Sequence, residues 1–307
     1  MKRNIYSKLW MIFFVLMGAA CTNQVEDAIP VSGQPIEFSV QSDWKEIPNT
    51  RLNDGKKYFE AGNEIQIFGF HRSSSGGVEK VQKFMYRVGE PARGQIVTFD
   101  GTNWNYSPKR FWPKEGTLDF YASYPEYSVL NDEDNHKMTY EQTVNPLQLD
   151  LLWGISTGHK CATACKDNVK IWMVHALARV DISFDSSLGK IKQAIVSAYK
   201  AGSFSGTDNG VPLWEVDSLD KKNIQRDTII PSKGLTTIGD ATVFILPYRI
   251  KGLILTKLDD GAEIDASEEI KKHKFYAGKV YKLKISKGVQ KNTNSRSIAM
   301  SVRCVSE

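Results

Sequence analysis

The side chains best able to do chemistry gather in a few short stretches. His159, Cys161 and Cys165 in HKCATACKD have the types and spacing of three metal ligands. A zinc site needs a fourth ligand or a bound water, and the sequence holds no second cluster to supply one. The expectation is no metal, with the two cysteines as a local disulfide or as ordinary thiols. Asp132, Glu133 and Asp134 in NDEDN offer carboxylates to calcium. They lack the EF-hand loop pattern, so a solvated turn is expected. His175 sits among apolar residues in IWMVHALARV. A functional imidazole needs a base partner or a metal, and neither is visible nearby. A structural role is expected, with the ring nitrogens bonding backbone. No carboxylate pair stands out for glycoside hydrolysis, and P-loop, GxSxG and HExxH motifs are absent. The reading is therefore no catalytic residues, no cofactor and no enzyme.

One stretch remains chemically loaded. Tyr106 to Pro125 reads YSPKRFWPKEGTLDFYASYP, and six of its twenty residues are aromatic, beside Lys109, Arg110 and Lys114. Aromatic and basic groups together stack on sugars or on nucleic-acid bases, and they also fill β-sandwiches. Charge argues against nucleic acid. From Cys21 onward, 37 Lys and Arg stand against 35 Asp and Glu, a net charge of +2, too weak for a polyanionic partner. The stretch reads mainly as core and turn, with Lys109 and Tyr121 its members most able to touch a partner.

These residues need elements to position them, and the chain first needs an address. MKRNIYSK is basic, and the twelve residues LWMIFFVLMGAA are uncharged and apolar. That suits a signal peptide over residues 1–20 and is too short for a membrane span. Gly18, Ala19 and Ala20 run into Cys21. The arrangement resembles a lipoprotein signal in which Cys21 takes up lipid, although Gly18 stands where Leu is usual. Glu26 and Asp27 follow in TNQVED, similar to a tag for the outer face of the outer membrane.

The rest reads as strands. PIEFSV alternates Ile36, Phe38 and Val40 against Glu37 and Ser39, and EIQIFGF puts Ile65 and Ile67 on one face. QIVTFDGTNWNYS predicts a hairpin turning at Asp100-Gly101. TLDFYASYP places Leu118, Phe120, Ala122 and Tyr124 inward, with Asp119, Tyr121 and Ser123 outward. RVDISFD and KVYKLKIS alternate, while ATVFILP and GLILTKL are short apolar runs fit for buried strands. LGKIKQAIVSAYK fits a helical stripe as well as a strand. A domain boundary is expected in the polar stretch Gly158 to Asn168. Six acids lie between Asp259 and Glu269, and ten Lys or Arg follow from Lys271 on. Solvated strand faces, with Lys discouraging edge-to-edge aggregation, explain the basic run.

The ordered set FEAGNEIQIFGF (59–70), WNYSPKRFWPKEGTLDFYASYP (104–125), VHALARVDISF (174–184), TVFILP (242–247) and FYAGKVYKLKI (275–285) resembles the fimbrillin family of bacteroidete pilins. It departs from the family where Asn63 replaces a common Asp, and after Ile285. The resemblance implies an all-β fold of two tandem transthyretin-like β-sandwich domains. With the boundary above, it suggests a signal peptide (1–20), a pro-segment with the first strand (21–51), and domains over 52–165 and 166–307. It implies a structural subunit of surface fimbriae, exported as a lipoprotein and cut by an Arg-specific protease. Other subunits would be the partners, with the outer membrane reached through the lipid. The alternative is a non-polymerising surface adhesin for host glycan or protein. Arg51 in NTRLNDG is the expected processing site, in a segment suited to proteolysis. Ile36, Phe38 and Val40 belong to the strand removed. Ile298, Met300, Val302 and Cys304 in SIAMSVRCV share one strand face able to fill the groove, or to complete the chain's own sheet.

Overall fold

The computed structural model describes residues 29–42, 59–75, 77–125, 129–132, 137–141, 150–160, 167–208, 211–216, 224–229, 240–287 and 300–306. Strands dominate them. The first half contains β1 (Val31–Pro35), β2 (Phe38–Ser42), β3 (Glu64–Ser75), β4 (Val78–Met85), β5 (Gln95–Phe99), β6 (Trp104–Asn105), β7 (Phe111–Pro113) and β8 (Thr117–Tyr124). It continues with β9 (Val129–Asp132), β10 (Lys137–Glu141), β11 (Leu152–His159) and β12 (Val169–His175). The second half contains β13 (Ala178–Phe184), β14 (Ile191–Tyr199), β15 (Ala201–Asp208), β16 (Val211–Glu215), β17 (Ile224–Ile229) and β18 (Asp240–Ile245). After β19 (Gly252–Lys257) and β20 (Glu263–Asp265) come a one-turn helix, α1 (Ser267–Ile270), then β21 (Val280–Lys287) and β22 (Met300–Ser306).

Apolar alternation decides which faces turn inward. Ile36, Phe38, Ile65, Ile67, Val97, Leu118, Phe120, Ile171 and Met173 meet in a first core. Around it, β3 pairs with β5 and β4 along one edge and with β8 along the other. From β8 the ladder passes through β11, β12, β2, β6 and β5 back to β3. The seven strands close on themselves, which leaves the ring no free lateral edge. The expected hairpin is there: β5 and β6 flank Gly101, whose φ of +100° suits glycine. The Asp100 carboxylate accepts from Thr102 N and Asn103 N, at 2.8 and 2.6 Å. Those two backbone N–H groups, Asn103 first, hold its carboxyl below the usual range.

In the second half, sheets ordered β18-β13-β21-β22 and β17-β14-β19-β20 face one another. Val180, Ile182, Leu283 and Ile285 from one meet Ala194, Val196, Leu253 and Leu255 from the other in a second core. The ambiguous segment around Ile191 is strand β14, held by ladders to β17 and β19. Its local pattern allowed a helix; neighbours on both edges made it a strand.

The chain crosses between the two cores more than once. The 165/166 boundary falls between β11 and β12, which pair with each other (Leu152 with His175, Gly154 with Met173). Leu177 packs in the first core and Ala178 in the second, but Tyr199, Phe204, Phe244 and Leu246 return to the first. A polar loop marked a connection, but connections also join strands within a sheet. A further sheet, β16-β15-β10-β9, bridges the halves. Trp153 and Phe204 meet edge to face at 4.9 Å across that seam.

Candidate functional site

The second N-terminal strand occupies an interior place. β2 lies between β6 and β12, and its register with β12 is parallel: Phe38 opposite Val169, Val40 opposite Ile171. Ile36, Phe38 and Val40 are all buried in the first core. Ordinary alternation places them there, and the polar Glu37 and Ser39 fall on the other face.

The aromatic-basic stretch is the seat of this segment. Lys114 N donates to Pro30 O at 2.9 Å, and β1 pairs antiparallel with β7. Ile36 N donates to Arg110 O at 2.9 Å, and the Tyr106 hydroxyl donates to Ile36 O at 2.8 Å. Val169 N donates to Glu37 O at 2.7 Å. Phe38 packs edge to face on Phe120, 5.2 Å between centroids, and tilted on Tyr106 at 5.7 Å. Burial pushes the Tyr106 hydroxyl's pKa up to about 12, so it stays protonated and donating. At the rim, Lys109 pairs with Glu37 at 2.9 Å and lies over the Tyr106 ring at 4.8 Å. Both charged groups are more than a third exposed, so this pair orients more than it stabilises.

Behind the seat is a buried polar layer that alternation did not foresee. Asp119 and Ser123, expected outward, are 4% and 0% exposed. Asp119 accepts from the Arg72 guanidinium and from Gly158 N at 2.7 Å, and Arg72 also bonds Glu79 at 3.0 Å. Hydrogen bonding to Asp119 first, then Glu79, raises the Arg72 pKa further above its ordinary value. Gln66 donates to Ser123 Oγ at 2.8 Å and accepts from Gly94 N at 3.2 Å. β8 is covered on both faces, so buried polar groups there find partners. No local signal in TLDFYASYP could reveal this, because the partners lie on β3 and β11.

Other predicted residues separate. Met300, Val302 and Cys304 are in β22, opposite Lys287, Ile285 and Leu283 of β21. β22 is therefore an edge strand of the chain's own second-half sheet. Cys21, Arg51, Cys161, Cys165, Glu133, Asp134 and Ile298 lie outside the described residues. His175 has an acid partner that sequence reasoning missed: Nδ1 pairs with the buried Asp150 carboxylate, 25 positions away. At Nδ1, then, a carboxylate stands where backbone was expected. His159 Nε2 bonds Ser156 Oγ at 2.8 Å, and burial lowers the ring's pKa. Among the described residues no group of His, Cys, Asp and Glu could hold a metal ion.

The profile of the fimbrillin-like family matches residues 50–300. No curated protein matches the sequence. Among solved structures, a proposed cell adhesion protein from Bacteroides uniformis is 16% identical at TM-score 0.51, covering 88% of this chain and 97% of that one. A second, from Bacteroides ovatus, is 13% identical at TM-score 0.51, with coverages of 88% and 96%. The tip fimbrial protein Mfa3 from Porphyromonas gingivalis is 8% identical at TM-score 0.41, with coverages of 80% and 94%. The first two show a shared fold and nothing finer.

Proposed function

The chain belongs to the fimbrillin-like family, and on that premise we propose that it is a structural subunit of cell-surface fimbriae, as stalk, anchor or tip. The fold reading that goes with this role is two transthyretin-like β-sandwiches in tandem, and the two separate cores support it. Export as a lipoprotein would attach Cys21 to the outer membrane. Cleavage after Arg51 would then free residues 21–51, which include β1 and β2.

The observation that carries the proposal is the interior position of β2. Losing it opens a slot between β6 and β12 and uncovers three apolar side chains' worth of core. At about 1.5–3 kcal/mol each, Ile36, Phe38 and Val40 represent roughly 5–9 kcal/mol of gross burial. Only another strand can repair both the ladder and the core, and the neighbouring subunit is the natural source. β22 is the candidate donor. Among the described residues it is paired in the sheet along one side only, and residues 288–299 separate it from β21. That connection reaches about 40 Å when extended, enough to cross to another subunit.

The test is cleavage of the full chain with an Arg-specific protease, read by electron microscopy and by mass spectrometry of the new N-terminus. Filaments formed by the cleaved chain, and none by Arg51→Ala, are expected. Normal filaments from Arg51→Ala would remove the mechanism.

A further inference from the structure

The pocket that holds Phe38 is walled by residues outside the segment to be cleaved, and other contacts hold each wall. Phe120 meets Phe38 edge to face at 5.2 Å. Its ring lies against Gly69, where a Cβ would come within 3.2 Å of Phe120 Cε1, and 5.9 Å from the His159 ring. Tyr106, tilted on Phe38 at 5.7 Å, accepts at its hydroxyl from Arg110 N at 3.3 Å. Lys109 lies over the Tyr106 ring and donates to both carboxylate oxygens of Glu37, at 2.9 and 3.1 Å. Phe38 is only 3% exposed in this pocket. The slot is thus an aromatic pocket with a cation at its rim. The segment that fills it offers an acid beside an aromatic residue, Glu37-Phe38.

The chain's own tail matches this in part only. Residues 288–307 hold no aromatic side chain and one acid, Glu307. Run in the direction of β2, a tail strand with Met300, Val302 or Cys304 in the place of Phe38 brings Ala299, Ser301 or Arg303 to Lys109. Run in reverse, it brings Ser301, Arg303 or Val305. On the assembly reading above, we infer that the slot left by β2 selects a strand from a different kind of subunit, one with an acidic residue beside an aromatic residue. The tail of a second copy is the weaker occupant. In strand addition the backbone ladder gives affinity to any strand, and the side-chain pockets choose among sequences. An aliphatic side chain in the place of Phe38 gives up the edge-to-face contact and leaves part of the pocket empty. The acid adds less, because its pair with Lys109 sits at the exposed rim. A subunit with such a slot belongs in a mixed fibre, accepting from one kind of subunit and donating β22 to another.

The test is competition for the slot in the full chain after cleavage with an Arg-specific protease. It is read by fluorescence polarisation of a labelled peptide of residues 34–42, QPIEFSVQS. The tail peptide 297–306 should compete at least about tenfold more weakly than unlabelled 34–42. The tail peptide with Ser301→Glu and Val302→Phe together should recover most of that loss. Phe38→Met in the 34–42 peptide should cost about tenfold, and Glu37→Lys a smaller factor that shrinks as salt is raised. Equal competition by the tail, or indifference to Phe38→Met or to Glu37→Lys at low salt, would overturn the inference and leave the assembly reading standing. Failure of every peptide to enter, the labelled one included, would mean that the slot stays closed and would overturn both.

Discussion

Two terminal strands of this chain are built to opposite designs. β2 lies inside a closed ring, parallel to β12 on one side and touching β6 on the other. Its inward residues are part of the first core. β22 lies at the end of a sheet, antiparallel to β21, with its far edge unpaired among the described residues. Removing an interior strand breaks two ladders and unroofs a core. Removing an edge strand breaks one and exposes β21, whose outward Lys282 and Lys284 resist further pairing. The strand hardest to lose by unfolding is thus the one whose loss creates the strongest demand for a replacement. On the proposed assembly, the strand easiest to detach would supply it.

Deletions test this contrast most severely. Expression without residues 21–42 should yield no stable monomer, only aggregated or assembled material in size-exclusion chromatography. Expression without residues 297–307 should yield a folded monomer that cannot extend a fibre. Equal behaviour of the two would end the comparison, and an unfolded product from the tail deletion would make β22 part of its own core.

Side-chain changes sharpen it. Phe38→Ala should cost the uncleaved chain about 3–5 kcal/mol in denaturant unfolding, as a cavity among Phe120 and Tyr106. A loss below about 1 kcal/mol would mean that β2 contributes register without packing. Tyr106→Phe removes the hydroxyl that holds Ile36 O, and should cost about 0.5–1.5 kcal/mol with the fold unchanged. Lys109→Ala should change stability by no more than about 1 kcal/mol, and less as salt is raised. A large effect would show that the rim, and not the core, holds the segment.

Much of this was legible locally. The alternation of Ile36, Phe38 and Val40, the Asp100-Gly101 turn, and the alternating Tyr281, Leu283 and Ile285 all report the environment of their own strand. The 106–125 stretch was conspicuous in composition, but its partner was not. Nothing in FWPKEG says that it will meet Pro30, or that Tyr106 will reach Ile36 seventy positions earlier. The Asp150–His175 and Asp119–Arg72 pairs were equally hidden, since each joins residues separated in sequence by 25 or more.

By itself the sequence determined the all-β class and the inward faces of most strands. Period-two burial and turn chemistry act over a few residues and leave their mark there. Only the tertiary structure decided that β2 sits inside a ring while β22 sits at an edge, and that Phe204 and Phe244 pack in the first core and not the second. Strand order is a matter of which distant backbones pair. Every strand carries the same donors and acceptors, so the choice is made by the packing of the whole.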